Sequence, residues 1–262
     1  MADFDNRVAT RAQTTTGVID SGLRAYMLRV YNYMFAGLVL TAVAAYAAFT
    51  AAVTTNPASA AHLADGRIPA LPGGLMLTSF GTMLFGPLMW VLLLGALGIV
   101  MFLSFRIQKM SVNAARASFL VYAALIGVTF APILLMYTGA SVAQVFFITA
   151  ATFGAMSLWG YTTQRDLSGM GSFLFMGLIG IIIASLVGFF VHSSMLQWVI
   201  SVAGVIIFTG LTAYDTQWIK ESYVAGDDGT VMGRKAIFGA LKLYLDFINL
   251  FLMLLRLLGS RR

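Results

Sequence analysis

The sequence predicts an all-α integral membrane protein, a bundle of seven transmembrane helices. Three observations carry that prediction. First, 60% of its 262 residues are hydrophobic and only 10% charged, where a soluble domain carries about a quarter charged residues. Second, the apolar residues gather in runs of roughly 20, the length that spans a bilayer as a helix. Third, those runs are continuously apolar rather than alternating, so helices and not barrel strands satisfy the backbone in lipid.

The expected segments are 30–53, 83–105, 117–137, 141–162, 171–191, 196–214 and 237–258, together a membrane domain over 26–262. Residues 1–25 form a polar tail without the apolar core of a signal peptide, and are expected to remain cytoplasmic. Pro132 removes a backbone hydrogen bond inside the third segment and is expected to kink it. Gly180, Ala184 and Gly188 recur every fourth residue, a small-residue face expected to let helices approach closely. The longest connections, 54–82 and 215–236, are too short for a soluble domain. Any chemistry therefore sits in the bundle or at its rims.

Charge sets the orientation. With the N-terminus inside, the inner segments hold Arg7, Arg11, Arg24, Arg29, Arg106, Lys109, Arg116, Arg165, Lys220, Arg234 and Lys235, whereas the outer loops hold Arg67. That is a positive-inside pattern. Arg261 and Arg262 oppose it if the seventh segment crosses fully, so the side of the C-terminus stays open. The net charge of +6 belongs to this pattern rather than to nucleic-acid binding, since no basic stretch is interleaved with exposed aromatics. The absence of cysteine excludes disulfides and zinc–thiolate sites. His62 and His192 fall in loops or at a helix end, so a histidine-based metal site is not expected. No GxxxxGK[ST] motif is present, which leaves ATP-driven pumping unsupported.

Two acids stand where acids are costly. Asp215 ends the run IIFTGLTAYD, and Asp246 lies within LKLYLDFINLFLMLL. A carboxylate in lipid costs several kcal/mol unless it faces a bundle interior, water or a partner, so each is a candidate functional residue. Lys242, Asp246, Asn249 and Arg256 fall within an arc of roughly 80° at about 100° per residue, a polar stripe on the last segment. The stripe could line a pathway inside the bundle, face lipid headgroups, or reduce to a Lys242–Asp246 pair one turn apart. The flanking Phe247, Leu250, Phe251 and Leu254 favour the interior. If Asp215 and Asp246 meet, they cannot easily both ionise and would share a proton, the kind of bistable element a pH sensor needs. Spacing alone equally allows Asp215 to lie uncoupled at the water interface. An intramembrane aspartyl protease is disfavoured, because LYLD lacks the glycine approach of GxGD; no enzyme activity and no cofactor are expected.

The runs TGLTAYDTQWIK and GALKLYLDFINLFLMLLRLLG, with TFGAMSLWGYTTQRDLSGMGSFLFMGLIGIII and RAYMLRVYNYMFAGLVLTAVAAY, span nearly the whole chain. Together they resemble the Bax inhibitor-1 family, in its bacterial branch. The resemblance implies a seven-helix bundle whose last helix is central, surrounded by the other six. It implies a pH-sensitive passive calcium leak governed by a di-aspartyl sensor, matching Asp215 and Asp246, with calcium as a weakly and transiently bound permeant ion. Arg106 is the nearest candidate for the arginine that partners the sensor. The implied setting is the cytoplasmic (inner) membrane of a bacterium, with membrane lipids as surroundings. A second expectation is an interaction protein without transport, modulating a membrane-bound ATP-dependent protease or a stress response. The connection VAGDDGTVMGRK is longer than the family pattern. Its Asp227 and Asp228 lack the spaced acids of an EF-hand loop and are read as a turn.

Overall fold

The computed structural model describes residues 21–62, 71, 74–191 and 193–262. The tail through residue 20, Arg67 and His192 therefore lie outside the described residues. Helix α1 (Ser21–Ala52) leads into a two-stranded hairpin, in which β1 (Val53–Thr54) pairs antiparallel with β2 (Met76–Leu77). A short α2 (Ser79–Leu84) precedes α3 (Pro87–Arg106), α4 (Val112–Thr129) and α5 (Ala131–Met136). Then follow α6 (Gly139–Thr162), α7 (Ser168–Phe190), α8 (Ser194–Glu221) and α9 (Gly229–Leu258). Seven stretches are long and apolar enough to cross a membrane, with α4 and α5 forming one. The break between those two comes at Phe130, with Pro132 in the first turn of α5, as the missing amide requires.

Helix starts follow their chemistry. Ser111, Thr138, Ser193 and Asp228 each accept a hydrogen bond from a first-turn amide of α4, α6, α8 and α9. Asp228 caps two amides, those of Thr230 and Val231, while Asp227 pairs with Lys235 at 2.5 Å. The Asp227–Asp228 turn thus serves as a helix cap and tether. The backbone amides of Val231 and Thr230 hold the Asp228 carboxyl below the usual carboxylate range.

Helix α9 is the centre: 72% of its apolar window is buried, against 11% for α3 and for α7. It packs chiefly on α1, α4, α6 and α8, while α3 leans on α4 and α7 leans on α8. The last helix is thus central, but its principal neighbours are four helices rather than six. Tyr244 at its middle is fully buried, meeting Phe119 and Tyr122 edge-on with ring centroids 5.6 and 5.9 Å away. Its hydroxyl lies 2.7 Å from Thr41 Oγ.

Close helix approach uses glycines other than those expected. A Cβ on Gly180 would meet nothing within 4 Å, so the Gly180–Ala184–Gly188 face does not bring helices together at its first position. A Cβ on Gly160 would instead lie 2.2 Å from the Ala213 carbonyl oxygen, and one on Gly127 would lie 2.5 Å from that of Thr41. These positions set the α6–α8 and α1–α4 crossings.

The C-terminus also finds its place. Tyr137 bridges Arg261, Thr138 N–H donates to Ser260 O, and Ser260 N–H donates to Ser141 Oγ. The chain end therefore lies beside the α5–α6 turn, on the face opposite the start of α1, and α9 crosses the whole bundle.

Candidate functional site

The site is made by the antiparallel register of α8 and α9. Gly204 lies against Met253 and Gly239 against Ile219, tight contacts on either side of the crossing. In the same register Lys242 stands opposite Asp215, and its ammonium donates to Asp215 Oδ1 at 2.7 Å. The ammonium also lies 4.7 Å over the Trp218 ring, one turn from Asp215 along α8. Asp246, one turn beyond Lys242, is 4% exposed, and its carboxyl interacts directly with that of Asp215. The two expected acids therefore meet. The Lys242–Asp246 pair weighed from spacing gives way to a pair across two helices.

Asp215 does not stand at the end of its helix, and it is not exposed. Helix α8 continues to Glu221 instead of ending at 214, and α9 begins at Gly229 instead of 237. The polar continuation of α8 is satisfied by protein. Gln217 accepts from Leu167 N–H and donates to Arg165 O, and Lys220 donates to Tyr161 O. These bonds fasten the α6–α7 turn to α8, so Asp215 lies 7% exposed within an ordered helix. Hydropathy windows overlook this stretch because its polar groups are paired internally. Polar residues at 212, 215, 216 and 217 were the available signal.

Asn249 donates to Leu245 O and lines the same cleft as Asp215, Lys242 and Asp246. Arg256 is exposed in the last turn of α9 and lies apart from that cleft. Arg106 is exposed at the end of α3 and, among the described residues, its side chain makes no hydrogen bond or ion pair. The cation on the acids is Lys242, not Arg106, because the end of α3 lies outside the α8–α9 contact. Behind the pair runs a hydroxyl chain missed from sequence. Tyr31 meets Ser157 at 2.6 Å, Ser157 meets Thr216 at 2.9 Å, and Thr216 donates to Thr212 O.

The acids form the floor of a cleft of about 1380 Å³ between α3, α7, α8 and α9. Trp90 and Leu97 of α3 and Phe175 and Ile182 of α7 are among its apolar walls. Among the described residues no group of three or more His, Cys, Asp or Glu side chains could hold a metal ion. Two carboxylates make a weak calcium contact, since calcium prefers six to eight oxygens.

A helical membrane bundle with two buried acids on adjoining helices, one of them paired with a lysine, defines the class. The family profile "Inhibitor of apoptosis-promoting Bax1" matches residues 23–262. Inner membrane protein YbhL of Escherichia coli is 46% identical over 245 residues, covering 92% of this chain and 94% of that protein. A Rickettsia prowazekii protein is 42% identical over 262 residues, covering both chains fully. A Borreliella burgdorferi protein is 45% identical over 238 residues, covering 90% of this chain and 92% of that one. The chain belongs to the Bax inhibitor-1 family.

Proposed function

We propose that the protein is a passive, pH-sensitive cation leak, with calcium as the permeant ion, gated at Asp215 and Asp246. The single observation behind this reading is the meeting of two buried carboxylates with one ammonium at the floor of a cleft. When all three are ionised the cluster carries one excess negative charge, which a proton or an entering cation can balance. Lys242 is the only other charged side chain lining the cleft among the described residues, and Tyr214 the only other titratable one. Proton occupancy of the acids thus decides how strongly α8 and α9 attract a cation. Weak two-carboxylate binding suits a leak, since a tightly held ion would not leave. The choice of calcium comes from the family resemblance.

The setting is the inner membrane of a bacterium, in keeping with the name of the Escherichia coli relative. A cytoplasmic N-terminus is supported by Arg24, Arg29, Lys109, Arg165, Lys220 and Arg234 on the face where α1 begins. The test is dye-detected calcium efflux from proteoliposomes between acid and neutral pH, against protein-free vesicles. Equal efflux in both would refute the leak. The protease-modulating alternative predicts instead that removing the residue 1–25 tail abolishes co-purification with a membrane-bound ATP-dependent protease while leaving efflux intact.

A further inference from the structure

The cleft is built for something that arrives sideways. Along α7 it extends from Gly171 to Phe189, 19 residues or about 27 Å of helix. Its walls are aliphatic and aromatic, and lipid can reach them: Trp90 is 60% exposed and Ile182 52%. A ligand that enters across these lipid-facing walls from the bilayer must itself carry an apolar body, whatever route an ion takes to the acids. The acids lie towards one end, because a Cβ on Gly171 would touch the Tyr214 ring beside Asp215. The remaining length, towards Phe189 and Trp90, is mostly apolar, with Ser185 and Asn249 as its polar side chains.

The floor asks for a cation. Asp246 is 96% buried by its 4% exposure, lines the cleft, and has an Oδ2 that receives no hydrogen bond. Lys242 is already committed to Asp215 and to the Trp218 face. No other basic side chain lines the cleft among the described residues, so a phosphate or sulfate head would meet two carboxylates and no uncommitted cation.

We infer that the cleft between α3 and α7 is a lateral binding site for a bilayer-borne amphiphile carrying an ammonium head on one long apolar chain. The head donates to the unpartnered Oδ2 of Asp246, and the chain lies along α7 towards Phe189. The ligand class is a long-chain primary amine without phosphate. This site goes beyond the leak and stands whether or not calcium passes.

The test uses the full chain in phosphatidylcholine nanodiscs with photoreactive hexadecylamine bearing a mid-chain diazirine. Hexadecanol and hexadecyl sulfate carrying the same diazirine are the other arms. Saturable labelling of α3 and α7 cleft residues by the amine is expected at about tenfold lower concentration than by the alcohol, the scale of one charge-assisted hydrogen bond. Asp246→Asn should reduce the amine to the alcohol's level. Ile182→Trp, a lipid-exposed wall position, should narrow the groove where the chain lies and weaken labelling while leaving Asp246 intact. Equal labelling by amine and alcohol would mean unselective lipid lining and would overturn the proposal. Preferential labelling by the sulfate, or amine labelling unchanged in the Ile182→Trp protein, would overturn it as well.

Discussion

Lys242 reaches across from α9 to Asp215 on α8, at 2.7 Å, rather than along its own helix to Asp246. The cluster is therefore an interhelical one, with a single ammonium serving two acids. Removing that ammonium leaves two carboxylates facing each other. Losing one partner of a fully buried pair costs 3–5 kcal/mol, but the Lys242 side chain is 27% exposed, which lowers the cost to about 1–3 kcal/mol. Lys242→Met should lose that much stability in detergent-based thermal unfolding. Adding Asp246→Asn should recover most of it, because one of the opposing charges is then gone. Failure of the second substitution to rescue would show that the acids are not electrostatically linked.

Gly160 and Gly180 should behave oppositely towards alanine. At Gly160 the new methyl would collide with the Ala213 backbone and spread α6 from α8, costing about 1–3 kcal/mol. At Gly180 the space is open, and helix propensity favours alanine by about 0.5–1 kcal/mol. Unfolding midpoints of the two variants check the contrast.

Tyr244→Phe removes the hydroxyl contact with Thr41 while leaving the ring packing on Phe119 and Tyr122. Hydrogen bonds between membrane helices average about 0.6 kcal/mol, so a loss of about 0.5–1.5 kcal/mol is expected. Thermal unfolding of Thr41→Val and of the double variant would show the effects to be less than additive.

Asp228→Ala should destabilise the start of α9 in a pH-dependent manner. Backbone donation lowers the Asp228 carboxyl in the folded chain, so its ionised form stabilises the fold above the unfolded carboxylate range. That contribution is lost as pH falls through the lowered folded value. The difference in melting temperature between wild type and variant should be largest near neutrality and shrink in acid.

The membrane class, the seven crossings, the kink at Pro132 and the two acids were legible because each rests on a local signal. Hydropathy marks a span, a missing amide breaks a helix, and a carboxylate in an apolar run stands out. The partner of Asp215 was not legible. Lys242 pairs across helices, and that pairing depends on α8 running on to Glu221, through polar residues whose partners Leu167, Arg165 and Tyr161 come from a distant turn. Glycine spacing likewise reads the same whether a face meets a helix, as Gly160 does, or open space, as Gly180 does. The exposure of Arg106 is equally a matter of where α3 ends, not of local sequence.

The most direct test of the gate is the pH profile of calcium efflux from dye-loaded proteoliposomes carrying wild type, Asp215→Asn or Asp246→Asn. The account predicts efflux that changes with pH in the wild type and a shifted or flattened profile in each variant. Profiles in both variants that superimpose on the wild type would contradict it.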